Sequence, residues 1–508
     1  MADSKREIER KYEATVDTRL PDLTRVAGVA AVDHRGVMEL DAVYYDTEDH
    51  RLAADALTLR RRTGGADAGW HLKFPVASGI RDEIQAPLSD TLPNSLAGLL
   101  RSRVRETELV PVVRLLSTRD VHHLLDADGT LLAELSVDEV RAERLTGGSG
   151  TAAWTEIEVE LADDQDPAFL DAVEHRLRKG GVRPSAAPSK LARALDETAP
   201  ERKQRPKRNG RPQPRTAGDH VLAYARDQIT AIVALDPAVR RDLPDSVHQM
   251  RVATRRLRSA FRTYRKILDR TVTDPIGDEL KWLAAELGVD RDQEVLDERL
   301  RTRIAELPRT LVLGPVRSRL SIWSTARRSG SRRRTVGVLD GKRYLALLDT
   351  LHAFLADPPL LPGADRGPRD ALPRAVLKDY ARLATRIGHA LDLPAGQSRD
   401  VAMHEARKAA KRARYAGEAA TPALGKPAEK FAKRMKAVQT VLGDHQDSVV
   451  AREALRTVAA QAHAAGESTF TWGLLYGREE ADAAAREREL PGVWERASRP
   501  ELRSELTS

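Results

Sequence analysis

Three ionisable residues alternate near the start of the chain, in the order Glu7, Glu9 and Lys11. If this segment is a strand, the three side chains share one face, because successive side chains point to opposite sides of a sheet. Two carboxylates and an ammonium are costly to bury without partners. A divalent metal and an anionic ligand would supply those partners. Taken alone, the segment also fits a solvated edge strand or a helix with ion pairs one turn apart.

The composition of the chain limits the class of anionic ligand. The 508 residues carry a net charge of +8, which makes phosphate polymers, nucleic acids and membrane surfaces plausible partners. The aromatic content of 4% argues against a protein that stacks on nucleic-acid bases. The absence of cysteine excludes disulfides and thiolate metal sites, and no apolar run reaches the length of a membrane span. We therefore expect a soluble intracellular protein.

About eight strand-like segments, each with one apolar and one charged face, occur in the first third of the chain. Turn signals such as Gly64-Gly65 and Asp128-Gly129 separate them at hairpin spacing. Helices are predicted over residues 20–32, 92–101 and 167–179, and they would cover the apolar faces. The charged faces are acidic on some strands and basic on others; the acidic ones lie near Glu7, Glu134 and Glu156, and the basic ones near Arg60, Lys73 and Arg119.

Two architectures explain this alternation. An antiparallel sheet with one solvated face produces it by default. The separation of acidic and basic strands favours instead a closed barrel with a charged interior. Small barrels normally fill their interior with apolar side chains, so a charged interior is reasonable only if it binds something charged. Carboxylates suit Mg²⁺ or Mn²⁺, and guanidinium and ammonium groups suit phosphate oxygens.

The order of the charged motifs resembles the CYTH family, also called triphosphate tunnel metalloenzymes. The matching series is Glu7-x-Glu9-x-Lys11, Tyr45-Asp46-Thr47, Arg60-x-Arg62, Lys73, Arg81-x-Glu83, Arg119, Asp138, Glu156-x-Glu158-x-Glu160 and Ser189-Lys190. The resemblance covers residues 1–195. It implies an eight-stranded antiparallel β tunnel with flanking helices that hydrolyses tripolyphosphate or triphosphorylated compounds with a divalent metal.

The resemblance also implies a role for each motif residue. Glu7, Glu9 and Lys11 are the predicted catalytic residues. Metal ligands are expected at Glu7, Glu9, Glu83, Asp138, Glu156 and Glu158. Phosphate-binding residues are expected at Lys11, Arg60, Arg62, Lys73, Arg81, Arg119 and Lys190. The sequence does not decide which two of the three glutamates 156, 158 and 160 bind metal.

The remainder of the chain has a different character. Residues 196–217 are basic and rich in proline, which predicts an extended linker. Helix formers dominate from there on. Two segments, 246–258 and 401–414, share a pattern in which a histidine is followed by basic residues at positions +3, +7, +8 and +10. A second pair, Leu287–Asp292 and Leu442–Asp447, has nearly the same offset, so we predict an all-α domain of two duplicated four-helix bundles.

The repeated basic residues form a cationic stripe along one side of a helix. Such a stripe is usually a solvated face, but like charges one turn apart cost helix stability, and a bound polyanion would relieve that cost. The motifs resemble the CHAD (conserved histidine α-helical) domain over residues 218–500, which implies binding of inorganic polyphosphate. The implied polyphosphate-binding residues are His248, Arg251, Arg255, Arg256, Arg258, Arg262, His404, Arg407, Lys411, Arg412, Arg414 and Lys433.

The leading interpretation is a cytoplasmic, metal-dependent inorganic triphosphatase whose helical domain grips polyphosphate and associates with polyphosphate granules. One alternative is a non-catalytic polyphosphate-binding protein that is targeted to such granules. Two others are a nucleic-acid binder and a class IV adenylate cyclase, since the CYTH name also covers those cyclases. The sequence does not fix the preferred phosphate chain length, the metal, the oligomeric state or any cooperation between the domains.

Overall fold

The computed structural model describes residues 3–65, 67–199, 213–328 and 331–507. The chain divides into two compact units, residues 1–210 and 211–508. Residues 200–212, which form most of the predicted linker, lie outside the described residues.

A closed antiparallel sheet forms the first unit. Its strands, among the described residues, are β1 (Asp3–Ala14), β2 (Ala31–Asp46), β3 (Thr58–Thr63), β4 (Gly69–Ala77), β5 (Ile80–Pro87), β6 (Val110–Leu125), β7 (Leu131–Arg144), β8 (Thr151–Leu161) and β9 (Arg183–Pro184). The order is β5-β4-β3-β2-β6-β7-β8-β1, and β1 pairs again with β5. This pairing closes the eight long strands into a ring, which confirms the predicted tunnel architecture. The short β9 pairs with β1 outside the ring order.

Helices pack against the apolar residues of the ring. They are α1 (Arg51–Ala54), α2 (Asn94–Val104), α3 (Ala168–Lys179) and α4 (Lys190–Glu197). Three apolar cores result: α3 packs on β1 and β6–β8, α1 and α2 pack on β3–β5, and α4 packs on β2 and β6–β8. The first two cores use the outward faces of the strands, which leaves the alternate, charged residues to face inward. The third core uses Tyr44, Leu115 and Trp154, which share the inward parity of the cavity lining, so α4 packs against the inner face of the ring and places Lys190 at the cavity.

The predicted helix over residues 20–32 is wrong. Leu23–Arg25 forms one 3₁₀ turn, and β2 begins soon after it. The apolar residues Leu23, Val26 and Val29 are buried under α3. Their three-residue period comes instead from successive tight turns, since the Val26 N–H donates to the Leu23 carbonyl and the Val29 N–H donates to the Val26 carbonyl.

The described part of the second unit is all α-helical apart from two 3₁₀ turns. Its helices are α5 (Ala217–Arg240), α6 (Ser246–Thr263), α7 (Arg270–Glu286), α8 (Gly288–Ala305), α9 (Val316–Arg328), α10 (Ser331–Asp340), α11 (Lys342–Ala356), α12 (Pro368–Asp392), α13 (Gln397–Leu424), α14 (Lys426–Ala464), α15 (Phe470–Ala497) and α16 (Pro500–Ser504). The two histidine motifs lie on α6 and α13. The second repeated pair lies where α7 meets α8 and, in the other copy, within α14.

Two apolar cores hold this unit together. The larger one contains residues of α5–α7, α10–α13 and the N-terminal half of α14, so the two copies of the helical repeat share one core. The smaller one contains residues of α8, α9, the C-terminal half of α14 and the start of α15. The 39 residues of α14 therefore enter both cores.

Candidate active site

Strand alternation along β1 positions the first motif. Glu7, Glu9 and Lys11 point into the ring, where they line a cavity of about 270 Å³. The intervening residues point outward: Tyr12 is fully buried in the core under α3, and Arg10 donates to Glu174 of α3 over 2.9 Å. The two faces of β1 therefore have separate roles, one structural and one that faces the cavity.

The predicted phosphate-binding residues come together in this cavity. All seven line it, and they are Lys11, Arg60, Arg62, Lys73, Arg81, Arg119 and Lys190. Among the predicted metal ligands, Glu7, Glu9, Glu83 and Glu158 line it as well. Asp138 and Glu156 lie buried behind the wall, with relative exposures of 0% and 3%.

The strand order separates the two signs of charge. The basic strands β4, β3 and β6 are joined through β2 on one side of the ring, and the acidic strands β7, β8, β1 and β5 are joined on the other. Lys5, Lys11 and Arg81 are the exceptions, since they line the cavity from acidic strands. The cavity thus has a mainly carboxylate wall opposite a guanidinium and ammonium wall.

Lysines balance the carboxylate wall. Lys73 Nζ lies 2.5 Å from Glu7 Oε2, and Lys11 forms ion pairs with Glu9 and Glu158. Burial alone would raise the pKa of Glu9, but the charges of Lys11, Lys73 and Arg81 together lower it below its ordinary value.

The deepest carboxylates converge on a single ammonium. Lys190 Nζ lies 2.9 Å from Asp138, 2.8 Å from Glu156 and 2.6 Å from Glu158. Arg119 holds Asp138 through two bonds of 2.7 Å and also donates to Glu158 over 2.8 Å. Burial alone would lower the pKa of Lys190, but the surrounding carboxylates raise it well above its ordinary value.

Other groups in the cavity have pKa values that depart from the ordinary range. Burial raises the pKa of Glu7 to about 7, although Lys73 opposes the shift. Burial alone would raise the pKa of Glu83, but the hydrogen bond to His71 and the charge of Lys73 lower it. Burial, together with the charges of Arg60 and Arg119, lowers the pKa of Arg62 to about 9. Because the neighbouring cations repel one another, this part of the cavity favours an anion as its ligand.

The donor atoms in the acidic wall fit a hard divalent cation. They are all carboxylate oxygens, which are the ligands that Mg²⁺ and Mn²⁺ prefer. Oxygen atoms of Asp138, Glu156 and Glu158 lie within 4.8 Å of one another. Among the three alternating glutamates of β8, Glu158 and Glu160 line the cavity and Glu156 lies behind it.

Several residues that sequence reasoning did not select also lie at the cavity. They are Lys5, Tyr44, Asp67 and Glu134 at the lining, with His71 buried beside it. His71 Nδ1 lies 2.7 Å from Glu83 Oε1. Lys5 lies two residues from Glu7 on β1, and His71 lies two residues from Lys73 on β4, so each pair shares a face of its strand. The alternation of side chains could therefore have predicted that Lys5 and His71 lie at the cavity.

The Tyr-Asp-Thr element has a structural role. The buried carboxylate of Asp46 accepts hydrogen bonds from the backbone N–H groups of Thr47, Leu52 and Ala53, and it thereby joins the end of β2 to α1. The segment therefore ends a strand and starts a turn.

In the helical unit, part of the predicted set forms one cationic cluster. Arg251 and Arg255 of α6 lie near Arg407 and Lys411 of α13, and burial together with Arg407 and Arg255 lowers the pKa of Lys411 to about 7. The acidic partners are few: Arg251 pairs with Asp292 over 2.9 Å, and Arg407 lies 3.6 Å from Asp447.

A second part of the set lines a groove of about 390 Å³. Arg258, Arg262 and Arg412 contribute to it, together with Arg265 and Arg382, which were not among the predicted residues. Burial and the charge of Arg262 lower the pKa of Arg258. The arginines that line this groove outnumber its acidic residues, so the groove carries a net positive charge.

The other predicted residues have different surroundings. Arg256 and Arg414 both pair with Glu418, over 3.0 and 2.7 Å. His404 Nδ1 lies 2.6 Å from the Gln446 side-chain oxygen. His248 and Lys433 lie on the exposed surfaces of α6 and α14.

Comparison with known proteins identifies the family. Residues 5–194 match the CYTH domain, and residues 223–456 match the CHAD domain. The chain is a CYTH–CHAD fusion protein. CYTH domains are generally metal-dependent, in agreement with the carboxylate oxygens of the cavity. No helix within the described ranges combines the length and apolar character that crossing a membrane requires.

This CYTH–CHAD protein is similar over nearly its whole length to the uncharacterized protein MT2285 of Mycobacterium tuberculosis. The two are 39% identical over 501 residues, which are 95% of this chain and 94% of the relative. Two solved structures resemble parts of it. PptA from Streptomyces chartreusis matches 56% of this chain and 100% of its own, with 20% identity and a TM-score of 0.48. The CHAD domain from the plant Ricinus communis matches 61% and 98%, with 23% identity and a TM-score of 0.43.

Proposed function

We propose that the CYTH domain hydrolyses inorganic triphosphate or short polyphosphate with Mg²⁺ or Mn²⁺, and that the CHAD domain binds longer inorganic polyphosphate. The observation that carries the first part is the cavity with a carboxylate wall opposite a basic wall. A linear polyphosphate together with a divalent cation is complementary to both walls, whereas an uncharged substrate would leave both unpaired.

The basic residues would bind and orient the substrate. Arg60, Arg62, Lys73 and Arg119 are held on paired strands, so their donors have fixed positions across the cavity. Guanidinium groups match the geometry of phosphate oxygens, and such positioning supplies most of the catalysis in phosphoryl transfer. Binding of the anion would also relieve the repulsion that lowers the pKa of Arg62.

The acidic wall would hold the metal and take up the proton. Glu7, Glu9 and Glu158 present carboxylate oxygens to the cavity and would be its ligands, with Asp138 and Glu156 as support. When bound, the cation would neutralise phosphate charge and lower the pKa of water. Water oxygen would form a bond to phosphorus as the phosphoanhydride P–O bond breaks. A carboxylate of this wall that does not bind the cation would take up the proton of the attacking water.

The CHAD domain would bind polyphosphate through its two cationic clusters. The cluster around Lys411 and the groove around Arg258 contain more cations than acids among the described residues, and burial together with like charges lowers the pKa of Lys411 and of Arg258. A polyanion would remove that repulsion and release counterions. Such binding would also allow association with polyphosphate granules in the cytoplasm.

A substrate panel tests the enzymatic proposal. Tripolyphosphate, ATP, thiamine triphosphate and long-chain polyphosphate would each be supplied with Mg²⁺ or Mn²⁺, and phosphate release and cyclic AMP would be measured. We expect metal-dependent phosphate release from tripolyphosphate, which Glu9→Gln abolishes. Glu13→Gln is the matched control, because Glu13 follows on the same strand but pairs with Arg193 away from the lining. Equal activity in both variants would refute the assignment.

The ligand of the CHAD domain needs a separate assay. A gel shift at about 0.15 M salt would compare polyphosphate with duplex DNA, since nonspecific DNA binding weakens steeply with salt. We expect polyphosphate alone to shift the protein. A stronger shift of DNA would make the helical domain a nucleic-acid binder.

A further inference from the structure

A group of ligand-type side chains lies outside the cavity, on β2 and β6. His34 and His122 are directly opposite each other in the antiparallel register, and Asp120 precedes His122 by two residues on the same face of β6. His34 Nε2 lies 2.6 Å from Asp120 Oδ1, and His122 Nε2 lies 3.3 Å from Oδ2 of the same carboxylate. Strand alternation directs this group away from the cavity, because the neighbouring Arg119 points inward.

The backbone contributes to this arrangement. The β2–β6 pairing has a β-bulge between His34 and Gly36, and Gly36 adopts a φ of +100°. A bulge changes the direction of nearby side chains. The two imidazole rings lie with their centroids 5.0 Å apart, and one donor atom from each of the three residues lies within 4.8 Å of the others. Small side-chain rotations would bring these atoms around one ion.

We propose that His34, Asp120 and His122 bind a first-row dication of the Zn²⁺ type. Two imidazole nitrogens and one carboxylate oxygen form a donor set that suits Zn²⁺, whereas Mg²⁺ prefers oxygen alone. The side chains of His34 and Asp120 are 57% and 39% exposed, which leaves space for water as a fourth ligand. The site is chemically distinct from the all-carboxylate wall and does not depend on the proposed hydrolysis.

A bound ion would tie β2 to β6 across a bulge. The three ligands come from two strands, so the ion would link the strands through side chains where the bulge interrupts their ladder. Because the ion would bind only the folded form, it would stabilise the CYTH domain by mass action. A rise in melting temperature with Zn²⁺ is therefore a readout independent of activity.

Metal binding to the full chain tests this proposal. Equilibrium dialysis with Zn²⁺ in excess Mg²⁺, and visible absorption with Co²⁺, would be measured in a Glu7→Gln, Glu9→Gln background that weakens binding in the cavity. Compared with that parent, His34→Ala and His122→Ala are each expected to weaken Zn²⁺ binding at least about 10-fold, since loss of even an outer-sphere partner can have that effect. They should also remove the Co²⁺ band and the gain in melting temperature.

Two further variants complete the design. His175→Ala removes an exposed histidine of α3 in the same domain, and it should retain the parent's Zn²⁺ stoichiometry and affinity. Asp120→Asn conserves side-chain size, so it reports on the site even if a histidine variant folds poorly, and it should weaken binding. Unchanged Zn²⁺ affinity in Asp120→Asn and in both histidine variants would overturn the proposal.

Discussion

Lys411 is a residue whose protonation should respond to the ligand. Burial and the charges of Arg407 and Arg255 lower its pKa from 10.5 to about 7. Polyphosphate would favour the charged form and raise that pKa again. Above pH 7, binding must therefore take up a proton.

We expect polyphosphate affinity to fall as the pH rises from 7 to 9, by at most about tenfold per pH unit. Titration calorimetry in buffers of different ionisation enthalpy at pH 8 would detect the proton uptake. Lys411→Arg is the control, because its guanidinium stays charged over this range and should remove the proton uptake at this position. The same uptake in Lys411→Arg would contradict the prediction.

The same pKa shift predicts a trend in stability. Between pH 7 and about 10.5 the unfolded chain keeps a proton on Lys411 that the folded chain has lost. The free energy of unfolding of the helical unit should therefore gain a contribution as the pH rises through this range, and Lys411→Met should remove it. Urea unfolding at pH 7 and pH 9 measures the difference; an equal pH dependence in Lys411→Met would refute it.

Two arginines of β6 provide a matched pair for the role of the cavity. Arg119 points into it, whereas Arg114 pairs with Asp41 over 2.6 Å and is not among the described lining residues. We expect Arg119→Gln to lower kcat/KM for tripolyphosphate by about 100-fold, the size of the loss when one charge-stabilising donor is removed. Arg114→Gln should change it less than about twofold. Circular dichroism would verify folding, because the first variant also leaves Asp138 with one partner fewer.

The alternation of residues along a strand was sufficient to predict which side chains face the cavity. It could not predict how deeply each of these side chains is buried. Parity along β1 and β8 placed Glu7, Glu9 and Glu158 at the cavity. It could not separate Glu156 from Glu158 or Glu160, since all three share a face. Their difference in depth depends on the tertiary position of α4, whose Leu191 packs with Trp154, the residue that donates a hydrogen bond to Glu156.

At the scale of elements, the β4–β5 turn supports the first motif. Gly79 in this turn has a φ of +70°, its carbonyl accepts a hydrogen bond from the Glu9 N–H, and a Cβ there would lie 2.7 Å from the Glu9 carbonyl oxygen. Gly79→Ala should therefore displace β1 at Glu9 and lower both stability and metal affinity. Strained backbone of this kind costs about 1–3 kcal/mol before the clash is added.

Gly129, in the β6–β7 turn, is the control for that substitution. Its φ of +78° is similar, but a Cβ there meets no atom within 4 Å. Gly129→Ala should show the backbone cost alone and leave metal affinity unchanged. Equal effects of the two substitutions, measured by urea unfolding and calorimetry, would show that the turn does not position Glu9.

A helix or strand could be predicted from the sequence where the spacing of its apolar and charged residues fits only one type of secondary structure. The alternation repeated over about eight segments fits strands, and the stripes of α6 and α13 fit helices. The segment around Leu23, Val26 and Val29 fits either a helix or a chain of tight turns, and only packing under α3 decides between them. Closure of the ring through β1 and β5 is a long-range pairing that local patterns do not encode.

At the scale of the whole molecule, each apolar core of the described chain belongs to one unit only. We therefore expect two unfolding transitions in calorimetry. Tripolyphosphate with Mg²⁺ at 100 times Kd should stabilise the CYTH transition by about 2.7 kcal/mol, and Glu9→Gln should remove that shift. Lys411→Glu should instead reduce the shift that long polyphosphate causes in the CHAD transition. A single transition that responds to both ligands would contradict this picture.

Helix α14 also gives the helical unit a mechanical property. Its 39 residues span about 58 Å at 1.5 Å per residue, and its two halves are embedded in different cores. A pulling force applied to one core would be transmitted along α14 to the other core. We therefore expect the two cores to unfold together when the domain is stretched. In the first copy of the repeat, the corresponding segment is divided into two helices, α7 and α8, which meet at Leu287. The second copy has the continuous helix α14 at this position.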